Sequence, residues 1–167
     1  MSYTLEQLAS DIKTTLKADA GSAAKEKVCD LVSKACLDKD FVAQHLTAEA
    51  CKPRKVLYED PDLGFCICGH VYGDRAVSAP HDHGNSWAIY GQAAGQTVMT
   101  DWNIVKKGEG ESPSLVEPLR DYEMNPGDVK FYDVGVVHSP RREGPTKLIR
   151  IEGANLDHVT RSRIKRA

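Results

Sequence analysis

From Pro53 onward the chain changes texture, into short β-type runs punctuated by Gly, Pro and Asp. Such a pattern predicts an antiparallel β-sandwich or jelly roll. Strands are expected over residues 55–58, 65–72, 78–83, 87–91, 96–105, 115–124, 129–132, 136–140 and 147–152. Before Pro53 the period is helical instead. Thr4 with Gln7 three places on reads as a capping box, and Leu5, Leu8, Ile12 and Leu16 recur at helical spacing to about Asp19. Gly21 and Ser22 break that helix. A second follows with Val28, Leu31, Val32 and Ala35 on its buried face, then a shorter one over 41–46 and a last turn over 47–50. The expectation is one structural domain overall: a helical extension, residues 1–52, packed on the outside or one end of a β-barrel spanning 53–167.

Within the β region lies Pro80-His81-Asp82-His83-Gly84-Asn85-Ser86-Trp87-Ala88-Ile89-Tyr90-Gly91. In extended chain, side chains alternate faces, so His81 and His83 share one face and can reach one ion. Imidazole is the commonest side-chain metal ligand. A third candidate stands far downstream, in Gly127-Asp128-Val129-Lys130-Phe131-Tyr132-Asp133-Val134-Gly135-Val136-Val137-His138. This reads as a Pro-Gly-Asp turn, a short strand, a second turn at Gly135 and a histidine opening the next strand.

These two stretches resemble the paired motifs of the cupin superfamily. His81, His83 and Gly95 fit the first motif, with Gly73 slightly out of register, and Gly127, Gly135 and His138 fit the second. The resemblance covers roughly the C-terminal two-thirds of the chain. It implies an all-β core, a double-stranded β-helix (cupin or jelly-roll barrel), behind the N-terminal helical extension. It also implies a metal held by His81, His83 and His138. The family's acidic ligand position falls on Ala88 or Trp87, and neither binds metal. Asp133 stands for the motif's Pro and Arg142 for its Asn. The resulting three-histidine shell resembles the thiol dioxygenases, which act on cysteine and 3-mercaptopropionate, and the diketone-cleaving dioxygenases.

Three neutral imidazoles leave open positions on a divalent ion and leave it its full charge, which favours an anionic, chelating substrate. The expected activity is a non-haem Fe(II) dioxygenase using O₂ on a thiol, organic acid or enolisable carbonyl compound. Zn, Ni, Mn or Cu would also accept imidazole. Two alternatives stay open: a redox-neutral metal-dependent isomerase or lyase, and a non-catalytic metal- and small-molecule-binding cupin. The thiol dioxygenases' Ser-x-His-x-Tyr set corresponds to Leu148-Ile149-Arg150-Ile151-Glu152, where none of the three residues matches. Their cysteine–tyrosine crosslink has Ala88 and Glu152 at its two places. Arg150 and Glu152 share a strand face and are the candidate catalytic pair, the arginine for an anionic group and the glutamate for a proton. An exposed pair of no consequence is the alternative. Trp87 and Tyr90 are candidate pocket walls, with core packing as their alternative. The family's carboxylate-binding arginine lies on an early strand, where Arg54 or Lys55 stands here. Asp82 points away from the histidines and is expected to make a structural hydrogen bond.

Cys66, Cys68 and His70 alternate along one strand, a row that fits either a second metal or simple burial. The chain has five cysteines, an odd number, read as reduced thiols of a cytoplasmic protein. A net charge of −2 and no long apolar run give no nucleic-acid or membrane footprint. The basic tail, residues 161–166, is expected to be a solvated terminus. The partners implied are a small molecule and O₂, with a homo-oligomer possible.

Overall fold

The structure, a computed structural model, describes residues 2–167. Thr4 caps the first helix as its sequence pattern demands: its hydroxyl accepts from the Gln7 amide, and the Gln7 side chain accepts from the Thr4 amide. Helix α1 runs Leu5–Ala18 and α2 runs Ser22–Leu37. Asp38 then caps α3 (Lys39–His45), and Thr47 caps α4 (Ala48–Cys51).

Ten strands follow: β1 (Arg54–Glu59), β2 (Cys66–Tyr72), β3 (Ala76–Val77), β4 (Ala88–Ala94), β5 (Thr97–Lys106), β6 (Ser114–Met124), β7 (Val129–Tyr132), β8 (His138–Arg142), β9 (Thr146–Glu152) and β10 (Ile164–Arg166). They form two five-stranded sheets, ordered β1-β2-β9-β4-β7 and β10-β6-β5-β8-β3. Chain-distant strands lie side by side, β9 between β2 and β4 for example, as a double-stranded β-helix requires. The fold is an all-β jelly roll of cupin type preceded by helices.

Both faces of the first sheet are covered, for different reasons. Ile67, Ile89, Ile149 and Ile151 alternate onto its outer face and join Leu8, Ile12, Val28 and Val32 of the helices in the main apolar core. The inner face instead carries Cys68, Arg150 and Tyr90 in one cross-strand row, and Cys66, Glu152, Ala88 and Tyr132 in the next. Burial of polar groups on that face is the first sign of a site.

One expectation needs correction. Residues 78–83 are not a strand: β3 ends at Val77, and the segment touches β8 only through the Ser78 amide and the two-way His81–His138 bridge. Pro80 lacks the amide a ladder needs. The basic tail is mostly exposed, as expected, and in addition it is paired. Ile164–Arg166 pairs in parallel with β6, and the Arg166 guanidinium lies 4.8 Å from the Trp102 ring centroid. The charged residues around Gly108 and Glu111 form the tip between β5 and β6. No helix among the described residues is long and apolar enough to cross a membrane.

Candidate metal centre

His138 opens β8, and its amide and carbonyl exchange hydrogen bonds of 3.0 Å with those of His81. That bridge sets the two imidazoles beside each other, with ring centroids 4.7 Å apart. His83 joins them from two residues on, and then Gly84, at φ +61°, turns the chain sharply towards β4. A side chain at Gly84 would strike the Thr160 carbonyl at 2.3 Å, so the turn has room only for glycine. Asp82 faces the other way, accepting from the Gly84 and Ser162 amides and so tying this turn to the tail.

Candidate ligand atoms of His81, His83 and His138 all lie within 4.8 Å of one another. The backbone orients two of the rings. His81 Nδ1 lies 2.8 Å from the Ala79 carbonyl and His138 Nδ1 lies 3.2 Å from the Val136 carbonyl. With Nδ1 donating, each Nε2 keeps its lone pair for an ion. Tyr132 stacks on the His138 ring, centroids 4.0 Å apart. Burial lowers all three proton affinities, taking His81 down to about 4, His83 to about 2 and His138 well below 6.5. The nearby Arg150 charge adds to burial in each case. All three are therefore neutral at neutral pH, the protonation state that ligation needs. A three-histidine site able to chelate a divalent metal is present, and its donor set does not select among Fe, Zn, Ni, Mn and Cu.

Ala88 is fully buried on the inner face between Tyr132 and Glu152, so no carboxylate stands at that position. Tyr90, next on the same face, comes to the histidines instead. Its hydroxyl oxygen lies 3.0 Å from His83 Nε2 and 3.4 Å from His138 Nε2, and it accepts from Arg150 Nη1 at 3.3 Å. Arg150 and Glu152 are a buried pair, 7% and 0% exposed. The Glu152 carboxylate accepts from Arg150 Nε and Nη2, from Arg54 Nε and Nη2, and from the Leu156 amide. Burial pushes the Glu152 carboxyl up, but the Arg54 bonds and the Arg150 charge outweigh it and leave the group below the usual carboxylate range. Arg54 also holds Asp157 at 3.0 Å.

A cavity of about 400 Å³ opens beside the cluster, lined at one end by His81, Tyr90 and Arg150. Arg54 lines it too, as do His70, which the sequence placed only in a possible metal row with Cys66 and Cys68, and Tyr72, Arg142 and Arg161, which it assigned to no site. The available signal for the first two was the period of two: His70 and Tyr72 continue the inward face of Cys66 and Cys68. Trp87 is not at this cavity. One step out of phase with Ala88, it packs towards the helices against Phe131 and Gly153, with the Lys25 ammonium 5.6 Å from its ring centroid. Cys66 and Cys68 are buried thiols whose proton affinities burial raises, and among the described residues they belong to no ligand cluster.

No family model matches the sequence, and no curated protein sequence matches it. Solved structures do. An uncharacterized conserved protein with a double-stranded β-helix domain from Klebsiella pneumoniae superposes with a TM-score of 0.50 at 13% identity, over 74% of this chain and 88% of that one. A DMSP lyase from Ruegeria pomeroyi gives 0.47 at 14% identity, over 66% and 50% of the two chains. A cupin superfamily protein from Desulfitobacterium hafniense gives 0.46 at 14%, over 61% and 76%. At 13% identity, the first of these likenesses speaks to fold alone. The chain has a cupin-like double-stranded β-helix fold and carries within it a three-histidine cluster able to chelate a divalent metal.

Proposed function

We propose that the protein is a metal-dependent enzyme acting on a small organic acid by redox-neutral chemistry, as a lyase or isomerase. The observation that supports this reading is the Tyr90 hydroxyl, held against two histidine Nε2 atoms and steadied by Arg150. His81, His83 and His138 are the groups that would hold the metal. A divalent ion held there would supply Lewis-acid charge to the bound acid. Tyr90 is the proton carrier. Because Arg150 donates to its oxygen, the phenol's own hydrogen is directed to the histidine edge, within reach of a group bound there. Arg150 and Arg54 supply positive charge for the acid's carboxylate. Glu152, already accepting from both guanidiniums, orients those two arginines and takes no proton itself.

A second reading, the Fe(II) dioxygenase, is favoured by Ala88. Without a carboxylate ligand the ion keeps its double charge and its open positions, suited to O₂ beside an anionic thiol, enolate or acid.

One experiment separates these readings. Protein loaded in turn with Fe(II), Zn(II), Ni(II) and Mn(II) is given small hydroxy and keto acids, thiols and diketones, while oxygen uptake and solvent-deuterium exchange are followed. The redox-neutral reading predicts anaerobic exchange or turnover with Zn(II), lowered about a hundred-fold or more in Tyr90→Phe at unchanged metal content. Oxygen uptake matched to product, with iron only, would replace it with the dioxygenase. Binding with neither signal would leave a non-catalytic cupin.

A further inference from the structure

The cavity beside the histidine cluster has a second end that the proposed chemistry does not use. Arg142, on β8 four residues past His138, is 2% exposed, yet its Nε finds no hydrogen-bond partner within the protein. Its guanidinium lies over the Tyr72 ring, 4.4 Å from the centroid, which holds it in place without neutralising it. His70 is 4% exposed, and its Nε2 also has no partner. Both residues line the cavity. Buried polar groups left unpaired are costly, and two of them facing one space is a pattern a ligand would resolve.

Charge narrows the ligand. Of the four arginines at this cavity, Arg54 and Arg150 share Glu152, and Arg54 holds Asp157 as well. Arg142 and Arg161 pair with no carboxylate among the described residues. A ligand with one negative charge, placed at the histidine edge, would leave the Arg142 end uncompensated. His70 asks for something different. Buried and neutral, the ring in its Nδ1–H tautomer presents the unpartnered Nε2 as an acceptor for a hydrogen of the ligand.

We infer that Arg142, His70 and Tyr72 form a distal subsite for a small dianionic hydroxy acid. Its far carboxylate takes the Arg142 Nε–H, its hydroxyl donates to His70 Nε2, and its near carboxylate lies at the histidine edge. This rests on the reading above for the near end only. The distal end is built from residues outside the histidine cluster, and a cavity of about 400 Å³ suits an acid of this size.

The test is calorimetric titration of metal-free and Zn(II)-loaded protein with malate, succinate and butyrate. In both states the parent should bind the two dicarboxylates about ten-fold or more tighter than butyrate, and malate tighter than succinate. Arg142→Gln should erase the advantage over butyrate, whereas Arg142→Lys should keep part of it. His70→Phe should erase the preference for malate over succinate and leave succinate binding near the parental value. Equal affinity for butyrate and succinate in the parent would overturn the subsite, and so would parental succinate affinity in Arg142→Gln. If that variant does not fold, the parent's ligand series and Arg142→Lys still decide. Should Zn(II) fail to tighten dicarboxylate binding while Arg142→Gln still weakens it, the distal subsite stands and the metal-centred reading falls.

Discussion

Glu152 is fully buried and accepts five hydrogen bonds, four of them from Arg54 and Arg150. Its two guanidinium partners are not equivalent in what they leave behind. Removing Arg150 leaves Glu152 still bonded through both oxygens to Arg54, whereas neutralising Glu152 strands a nearly buried Arg150. Glu152→Gln should therefore cost about 3–5 kcal/mol of unfolding free energy, and Arg150→Ala less than about 3 kcal/mol. Denaturant titration of both variants checks this, and the reverse order would mean that Arg54 does not support the carboxylate. His70 offers a pH test. Burial, and then the charges of Arg150, Arg142 and Arg54, hold its proton affinity well below 6.5. Below about pH 6.5 the unfolded chain takes up a proton there that the folded chain refuses, so stability falls as pH falls. In chelator, His70→Gln should lose stability less steeply than the parent between pH 6.5 and 4, by up to about 1.4 kcal/mol per pH unit. Identical slopes would place His70 in contact with water.

The outer face of the first sheet shows how tightly the helical elements press on the strands behind the site. At Gly91 of β4, a Cβ would lie 2.5 Å from Val32 Cγ1 and 2.8 Å from Cys36 Sγ of α2. At Gly69 of β2 it would meet Cys51 Sγ at 2.7 Å and Leu46 Cδ2 at 2.9 Å. Gly91→Ala removes freedom from the unfolded chain, worth about 0.4–1 kcal/mol of stabilisation, but overpacking costs about 1–3 kcal/mol. The clash should win, and a thermal melt of Gly91→Ala above the parent's would show that α2 is free to move away. These elements were legible to different degrees. The capping box of Thr4 and Gln7 and the alternation around Ile149 and Ile151 are local patterns, and both are found in place. The two-point contact of residues 78–83 with β8 was not legible, because a Pro-interrupted segment keeps its period of two without keeping its ladder. Nor was β10, whose one apolar residue, Ile164, gives no period at all. Tyr90 faces the cavity from β4, whereas Trp87, just before Ala88, lies one alternation out of phase and packs on the helix side.

At the scale of the whole molecule, helices cover one side of a sheet whose other side carries the histidine edge, the arginines and the cavity. His81 and His83 are separated from His138 by the whole of β4 to β7 and meet it only through the jelly-roll closure at the His81–His138 bridge. Their grouping was readable because the motifs carry their spacing locally. The Arg142 and His70 end was not, since it depends on which side chains the closed barrel leaves without partners. These three imidazoles would together hold one divalent ion. A metal present at a hundred times its dissociation constant would stabilise the parent by about 2.7 kcal/mol through linkage alone. Metal content after dialysis against equimolar divalent ion, with circular dichroism to verify the β fold, shows whether the three imidazoles do so. Close to one ion per parent chain is expected, with most of it lost from folded His138→Ala. Parental stoichiometry in folded His138→Ala would contradict the three-histidine site.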